Sequence, residues 1–144
     1  VVQEEIGLRG ARCAAYTVEP DFAIVVESTT AADIPNVAQD KRVCCVGEGA
    51  VISFMDRRTI YDKELVDAAM SCANENVKVQ YKQAVAGGND AGAIQTSRGG
   101  VRTLAVSLPC RYLHSSCGLI SADDYSSAYA VVTQAANKIF SNSL

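Results

Sequence analysis

Three acidic positions and the only histidine of the chain carry the residue types best suited to metal-assisted chemistry. Glu4 and Glu5 are adjacent near the first residue, while Glu27 and His114 each follow a short apolar, β-prone run. Carboxylates and imidazole are common metal ligands, and a neighbouring carboxylate can act as a general base. Because each residue ends or follows such a run, we expect strand ends to present all four along one edge of a sheet. The pattern indicates a site that holds a metal ion and a general base.

Each of these residues also has an ordinary structural explanation. Adjacent residues on a strand point to opposite faces, so Glu4 and Glu5 share a site only where the strand ends; otherwise they are two solvated acids. Glu27 stands at the carboxyl end of an apolar run, where α/β folds place ligands, but an exposed loop acid fits the same position. A lone histidine such as His114 is more often a hydrogen-bonding partner than a metal ligand.

A glycine-rich turn, AGGNDAGA at residues 86–93, is a further candidate. Its backbone N–H groups near Gly88, or the Asp90 carboxylate, would approach a ligand bound beside the turn. The glycines serve a tight strand-to-helix connection equally well, and the match to a phosphate-binding loop is poor.

Composition limits the class of protein. The 144 residues are 49% hydrophobic and 20% charged, which fits one domain with a sizeable core. A net charge of −3 without a run of Lys or Arg argues against binding nucleic acid or a membrane surface. The six cysteines lie in apolar stretches and form no C-x-x-C motif, which argues against a thiolate zinc site. We expect small buried hydrophobic thiols in a reduced, cytoplasmic protein.

Strand-like and helix-like segments alternate along the chain. This alternation predicts an α/β fold with a mixed, mostly parallel sheet flanked by helices. The predicted strands cover residues 1–3, 22–26, 43–55 (bent or broken at 47–49), 77–85 and 102–108. The predicted helices cover residues 8–16, a segment capped by Asp62, a short segment after the glycine-rich turn, and a last helix from Ser121. In that last helix Ser121 and Asp124 resemble a capping box, followed by an apolar stripe at Tyr125, Ala128, Val132, Ala135 and Ile139.

Four segments resemble, in order, the glutamyl aminopeptidase or TET family of dinuclear metalloaminopeptidases, some of whose members carry endoglucanase labels. These segments are VVQEEIGLRGA, EPDFAIVVESTTAADIP, GGNDAGAIQTSRGGV and SLPCRYLHS. The similarity runs from residue 1 into the last helix. It implies that residues 1–144 are the C-terminal portion of a zinc-peptidase-like catalytic domain, with the N-terminal portion and an inserted dimerisation domain absent.

The resemblance also implies roles for individual residues. Glu4 matches the general base of the family. Glu5 and His114 match two ligands of one metal ion, and Glu27 stands where the family places an Asp or Glu ligand of the other. Asp90 and Gly88 lie in a loop beside the active site, on the substrate side rather than among the ligands.

The same resemblance implies a set of cofactors and partners. The intact family site holds two divalent ions, zinc or cobalt, and takes a histidine and a bridging aspartate from upstream sequence. We therefore expect this chain alone to bind at most one ion and to be inactive alone. The expected partners are peptide substrates and the missing N-terminal half, with a homo-oligomer for the intact protein.

Two other functions compete with an aminopeptidase. One is a non-catalytic scaffold or binding remnant of the same fold. The other is a glycoside hydrolase, which needs two carboxyls about 5–10 Å apart across the sugar, a role open to Glu4 and Glu27. The sequence has no Trp and only 6% aromatic residues, which leaves little for a sugar-stacking surface.

Overall fold

A four-stranded sheet carries the fold in the computed structural model, which describes residues 1–141. The strands are β1 (Phe22–Thr30), β2 (Ala50–Ile52), β3 (Val79–Tyr81) and β4 (Arg102–Cys110). The helices are α1 (Arg9–Val18), α2 (Lys63–Met70), α3 (Ala91–Ile94) and α4 (Ala122–Phe140), with a 3₁₀ turn at Gln39–Lys41. Within residues 1–141 no helix combines the length and the apolar character needed to cross a membrane.

The sheet is mixed and flanked by helices, as the alternation predicts. Its strand order is β1-β4-β2-β3; β1 runs parallel to β4, β4 antiparallel to β2, and β2 parallel to β3. The long pair β1–β4 keeps an unbroken register from Phe22 opposite Arg102 to Thr30 opposite Cys110. Leu104 and Val106 of β4 are fully buried, and α2 and α4 pack against them with Leu65 and Val131. The sheet therefore fixes β1, which carries Glu27, against the most buried strand.

The first residues are not a strand, contrary to the prediction for residues 1–3. The chain before α1 instead forms turns. Their carbonyl oxygens accept hydrogen bonds from backbone N–H groups at the start of α1: Val2 O accepts from Gly10 N at 3.0 Å, and Glu4 O accepts from Leu8 N, just before the helix, at 3.0 Å. The opening amides of a helix lack partners within the helix, and here the preceding chain supplies them. The adjacent glutamates thus lie in a turn, where their side chains are not forced to opposite faces.

The predicted strand at residues 43–55 is also shorter than expected. Only Ala50–Ile52 pairs as a strand, while residues 43–49 form a loop held by the side chain of Gln80. The Gln80 amide accepts from Cys45 N at 2.9 Å and donates to Cys45 O at 2.8 Å. The Gln80 side chain therefore makes the hydrogen bonds to the Cys45 backbone that a neighbouring strand would otherwise make.

The capping-box interpretation of the last helix is wrong for Asp124. The Ser121 hydroxyl does cap the helix, but it accepts from Asp123 N. Asp124 is fully buried, and its carboxylate accepts from the backbone N–H groups of Gly47 and Gly49, each at 2.7 Å. The acid fastens the loop 43–49 to the first turn of α4.

Two further expectations need correction. Tyr125 of the predicted apolar stripe is exposed, and Val131 contributes to the core instead. The buried cysteines include Cys44, but Cys13 and Cys117 lie at the surface; all six thiols are free. Cys13 lies on the exposed face of α1, and Cys117 lies in the exposed loop that follows β4.

Candidate active site

One cavity of about 420 Å³ brings together the candidate residues chosen from the sequence. It opens beside β1, between the turn at the start of the chain, the glycine-rich turn and the loop that follows β4. Its lining includes Glu4, Glu5, Glu27, Gly88, Asp90 and His114. Residues far apart in sequence therefore meet at one site.

Glu5 and His114 face each other at the rim of the cavity. Both side chains are well exposed, and His114 Nδ1 lies 3.7 Å from Glu5 Oε1, beyond hydrogen-bonding distance. The two groups are close enough to take part in binding the same cation.

The loop that carries His114 is held at its base. Arg111 and Leu119 exchange backbone hydrogen bonds at 2.9 and 3.0 Å, which close the loop 112–118. The Arg111 guanidinium also makes two hydrogen bonds to the buried Asp33 carboxylate, at 2.8 and 2.7 Å. This bidentate ion pair is the strong kind, and it keeps the pKa of Asp33 below its ordinary value. His114 itself has a φ of 61°, a left-handed conformation that the closed loop maintains.

Glu4 lies deeper than Glu5. Desolvation raises the pKa of Glu4, and the negative charges of Glu5 and Asp90 raise it further. A carboxylate with a raised pKa accepts a proton more readily, which suits a general base.

Glu27 does not stand at the end of its strand, contrary to the sequence interpretation. The pairing of β1 with β4 continues three residues beyond it, so Glu27 projects from within the strand. Its Oε1 accepts from Asn89 Nδ2 at 2.9 Å and from Ser107 Oγ at 3.4 Å. Desolvation raises the pKa of Glu27, and the hydrogen bond from Asn89 opposes that shift.

The glycine-rich turn contributes Asp90 and Gly88 to the cavity wall. Asp90 Oδ1 is buried and makes no hydrogen bond within the described chain, and desolvation raises the pKa of this carboxyl. A Cβ at Gly88 would lie 2.8 Å from Cδ of Arg58, so the packing of that side chain requires glycine. An unpaired buried acceptor favours a cation nearby.

The donor set suits a metal ion but is incomplete. Carboxylates and an imidazole are typical zinc ligands, and the unpaired Asp90 Oδ1 adds negative charge beside them. Among residues 1–141, however, no three His, Cys, Asp or Glu side chains come together closely enough to hold an ion. The chain therefore fits the role of a partial ligand set.

Sequence reasoning missed the polar residues behind this wall. Asn89 is buried and contacts both Glu27 and Tyr61, and Lys82 lines the cavity while its Nζ donates to Ala86 O. No sequence motif marks Tyr61 as part of the site. Its contact with Asn89 spans 28 residues, so spacing alone does not reveal it.

Comparisons with known proteins agree on one family. Residues 1–131 match the family model described as M42 glutamyl aminopeptidase. A protein of Escherichia coli (strain K12) named as an aminopeptidase, FrvX, is 35% identical over 132 residues, covering 91% of this chain and 37% of the relative. The lysyl aminopeptidase of Pyrococcus furiosus is 34% identical over 123 residues, covering 85% of this chain and 35% of the relative. The chain thus spans little more than a third of these relatives.

Solved structures give the same picture. An aminopeptidase from the archaeon Desulfurococcus kamchatkensis superposes with a TM-score of 0.87 at 30% identity, covering 92% of this chain and 38% of that one. The TET1 peptidase of Pyrococcus horikoshii, described as assembling into a tetrahedron or a large octahedral shell, gives 0.73 at 30% identity, covering 94% and 38%. The expected α/β fold therefore matches part of known aminopeptidase structures.

Proposed function

Because this chain belongs to the M42 glutamyl aminopeptidase family, we propose that it forms part of the catalytic domain of a metal-dependent aminopeptidase. Such an enzyme releases N-terminal residues from peptides. The observation that carries the proposal is the single cavity that collects Glu4, Glu5, Glu27 and His114 from three separate segments. Only their joint placement argues for chemistry, since each residue alone has an ordinary explanation.

In this proposal Glu5 and His114 would bind one divalent ion, zinc or cobalt, and Glu27 the other. When bound, such ions lower the pKa of water and polarise a carbonyl group. Glu4 would accept a proton from the attacking water and return it to the leaving amine, a role that its raised pKa suits.

The charge of the cavity supports cleavage at an N-terminus. The α-amine of a peptide is a cation, whereas Glu4, Glu5, Glu27 and Asp90 place four carboxyls around the cavity, against one lysine, Lys82. Desolvation raises the pKa of Glu4, Glu27 and Asp90, which is consistent with an excess of negative charge at the cavity. A positively charged amine bound there would offset the negative charge of these carboxyls, and an internal peptide bond offers no such group.

We further propose that the chain does not reach full activity alone. It spans 37% and 35% of the two relatives compared above, and its described residues contain no complete three-ligand cluster. The remaining ligands would come from a segment equivalent to the part of the relatives that this chain does not match. The intact protein would be a homo-oligomer, by similarity to the TET1 peptidase assemblies.

Calorimetric titration of the chain with Zn²⁺ and Co²⁺ tests the proposed ligand set. We expect a single site in the wild type whose affinity falls at least about tenfold in His114→Ala, since a metal site that loses a ligand binds far more weakly. Cys117→Ser is the matched control, because Cys117 is an exposed thiol three residues from His114 and is itself a possible zinc ligand. Binding that survives His114→Ala but is lost in Cys117→Ser would overturn the proposed ligand set.

The incomplete ligand set also favours a non-catalytic remnant as a second candidate. In that case Glu4→Gln would leave every activity unchanged, even after the chain is combined with the matching N-terminal portion of a relative. The cavity gives no comparable support to a glycoside hydrolase. None of its described lining residues is Phe, Tyr or Trp, so it offers no aromatic surface for stacking a sugar.

A further inference from the structure

A chain of buried polar side chains leads from the cavity wall into the protein interior. Its members are Asn89, Tyr61 and Asp56, and each is at most 4% exposed. Buried polar groups are costly unless each finds a partner, so an unbroken chain of them behind Glu27 needs an explanation.

The orientation of the Asn89 amide is determined by its neighbours. Its Oδ1 accepts from the backbone N–H of Ala91 at 2.8 Å, so its Nδ2 points the other way. Nδ2 carries two hydrogens and lies 2.9 Å from Glu27 Oε1 and 2.9 Å from the Tyr61 hydroxyl. Both hydrogens are therefore used, one on each partner.

The direction of the next hydrogen bond follows from Asp56. Its Oδ1 accepts from the backbone N–H groups of Arg58 at 2.7 Å and Thr59 at 2.8 Å, which hold the carboxylate in place. Its Oδ2 lies 2.6 Å from the Tyr61 hydroxyl, which must donate because an ionised carboxylate only accepts. The Tyr61 oxygen is then free to accept from Asn89.

We propose that Asn89, Tyr61 and Asp56 are positioning residues, which hold Oε1 of Glu27 from behind so that Oε2 faces the cavity. The hydrogen bonds among Asn89, Tyr61 and Asp56 each have one direction, and with the Ser107 hydroxyl they hold Oε1 of Glu27 on the side away from the cavity. The inference rests on the proposed function only in taking Glu27 as the group that meets the ion.

The choice of an amide at position 89 follows from the charges around it. Asn89 lies between Glu27 and the Tyr61 hydroxyl that bonds to Asp56, so two carboxylates stand at the ends of the chain. An amide offers N–H donors in both directions and adds no third negative charge. An acid at position 89 would repel Glu27 and lose both donors.

Nuclear magnetic resonance of the metal-free chain, with Tyr61→Phe as the test variant, tests whether these hydrogen bonds hold the Glu27 carboxylate. Phenylalanine keeps the ring and removes only the hydroxyl, so Asn89 loses one partner and Oδ2 of Asp56 loses its donor. We expect the Asn89 side-chain amide protons to exchange with water at least about tenfold faster and the Glu27 carboxyl ¹³C resonance to shift. Tyr125→Phe is the matched control, because Tyr125 is exposed on α4, and it should change neither signal.

The result that overturns the proposal is a folded Tyr61→Phe variant in which both signals stay at their wild-type values. If that variant does not fold, Asp56→Asn serves instead, because it keeps the shape of the side chain and replaces the acceptor of the Tyr61 hydroxyl by a donor. The same shift of the Glu27 resonance is expected there, and its absence would contradict the proposal. These signals need no metal, so a chain that binds no ion would defeat the proposed function and leave this test intact.

Discussion

At the scale of single residues, the cavity concentrates negative charge that nearby cations such as Lys82 only partly neutralise. Desolvation is the largest cause of the raised pKa of Glu4, Glu27 and Asp90, and for Glu4 the charges of Glu5 and Asp90 add to it. Groups left in this state usually lower stability in exchange for function. A bound cation, either a metal ion or a substrate amine, would offset the free-energy cost of desolvating these carboxylates.

The raised pKa of Glu27 gives a testable dependence of stability on pH. A carboxyl with a raised pKa in the folded state binds its proton more tightly when folded, so stability falls as pH rises from the ordinary carboxyl range through the raised value. Glu27→Gln removes this fall, because its amide oxygen still accepts from Asn89 and the group does not ionise. In the presence of a chelator we expect the variant to be more stable at neutral pH by up to about 1 kcal/mol and equal in acid, by urea unfolding.

The control for that measurement is Glu75→Gln, at an exposed turn, which should follow the wild-type curve. A Glu27→Gln variant that is less stable than the wild type at neutral pH would show that the hydrogen bonds to the ionised form outweigh its desolvation.

At the scale of elements, the parts predicted correctly are those whose signal is local. The apolar runs of β1 and β4 mark strands, of which β4 is largely buried while β1, at the edge of the sheet, is only partly buried. Asp62 caps α2 by accepting a hydrogen bond from Leu65 N at 3.1 Å. The wrong predictions lie where backbone hydrogen bonds go to other partners than a strand: residues 1–3 bond to the start of α1, and residues 43–49 bond to distant side chains. Residues 43–49 are apolar enough for a strand, but distant side chains take many of their backbone hydrogen bonds: the Gln80 amide bonds Cys45, and the Asp124 carboxylate accepts from Gly47 and Gly49.

The candidate site follows the same division. Glu4, Glu5, Glu27 and His114 were selected by residue type, by position beside apolar runs and by the family resemblance, and the cavity brings them together. Their orientation was not predictable, because it depends on contacts such as Asn89 with Glu27, which spans 62 residues. Side-chain partners at such separations leave no periodic pattern in a single sequence.

The Asp124 contact yields a prediction about the loop 43–49. Asp124→Ala would leave the backbone N–H groups of Gly47 and Gly49 without their acceptor in a buried place, so we expect a loss of about 2–4 kcal/mol in the free energy of unfolding. The backbone of Gly49 packs closely against Lys78 in a left-handed conformation, with φ 88°, which leaves little room for its N–H to find another acceptor. Asp123→Ala, at the exposed neighbouring position, is the control and should change stability little in urea unfolding. Equal losses in the two variants would mean that the buried contact contributes nothing.

At the scale of the whole molecule, the sheet has two unequal edges. β3 forms one edge with three residues, whereas β1 forms the other with nine, and β1 pairs only with β4 within the described chain. Val26 on β1 is 60% exposed, and Phe140 at the end of α4 is 87% exposed. A long strand edge with apolar residues is a template for pairing with another chain.

We therefore expect the isolated chain to self-associate through β1. A charged side chain introduced on this strand should raise the dissociation constant at least about tenfold. Val26→Lys places that charge on the free strand, where a second copy would have to desolvate it in order to pair. Val18→Lys is the matched control, because Val18 is 70% exposed at the end of α1 and lies outside the sheet. Sedimentation velocity over a range of concentrations distinguishes the two variants. If both associate as the wild type does, the contact lies elsewhere and the β1 edge is not the surface that copies of this chain share.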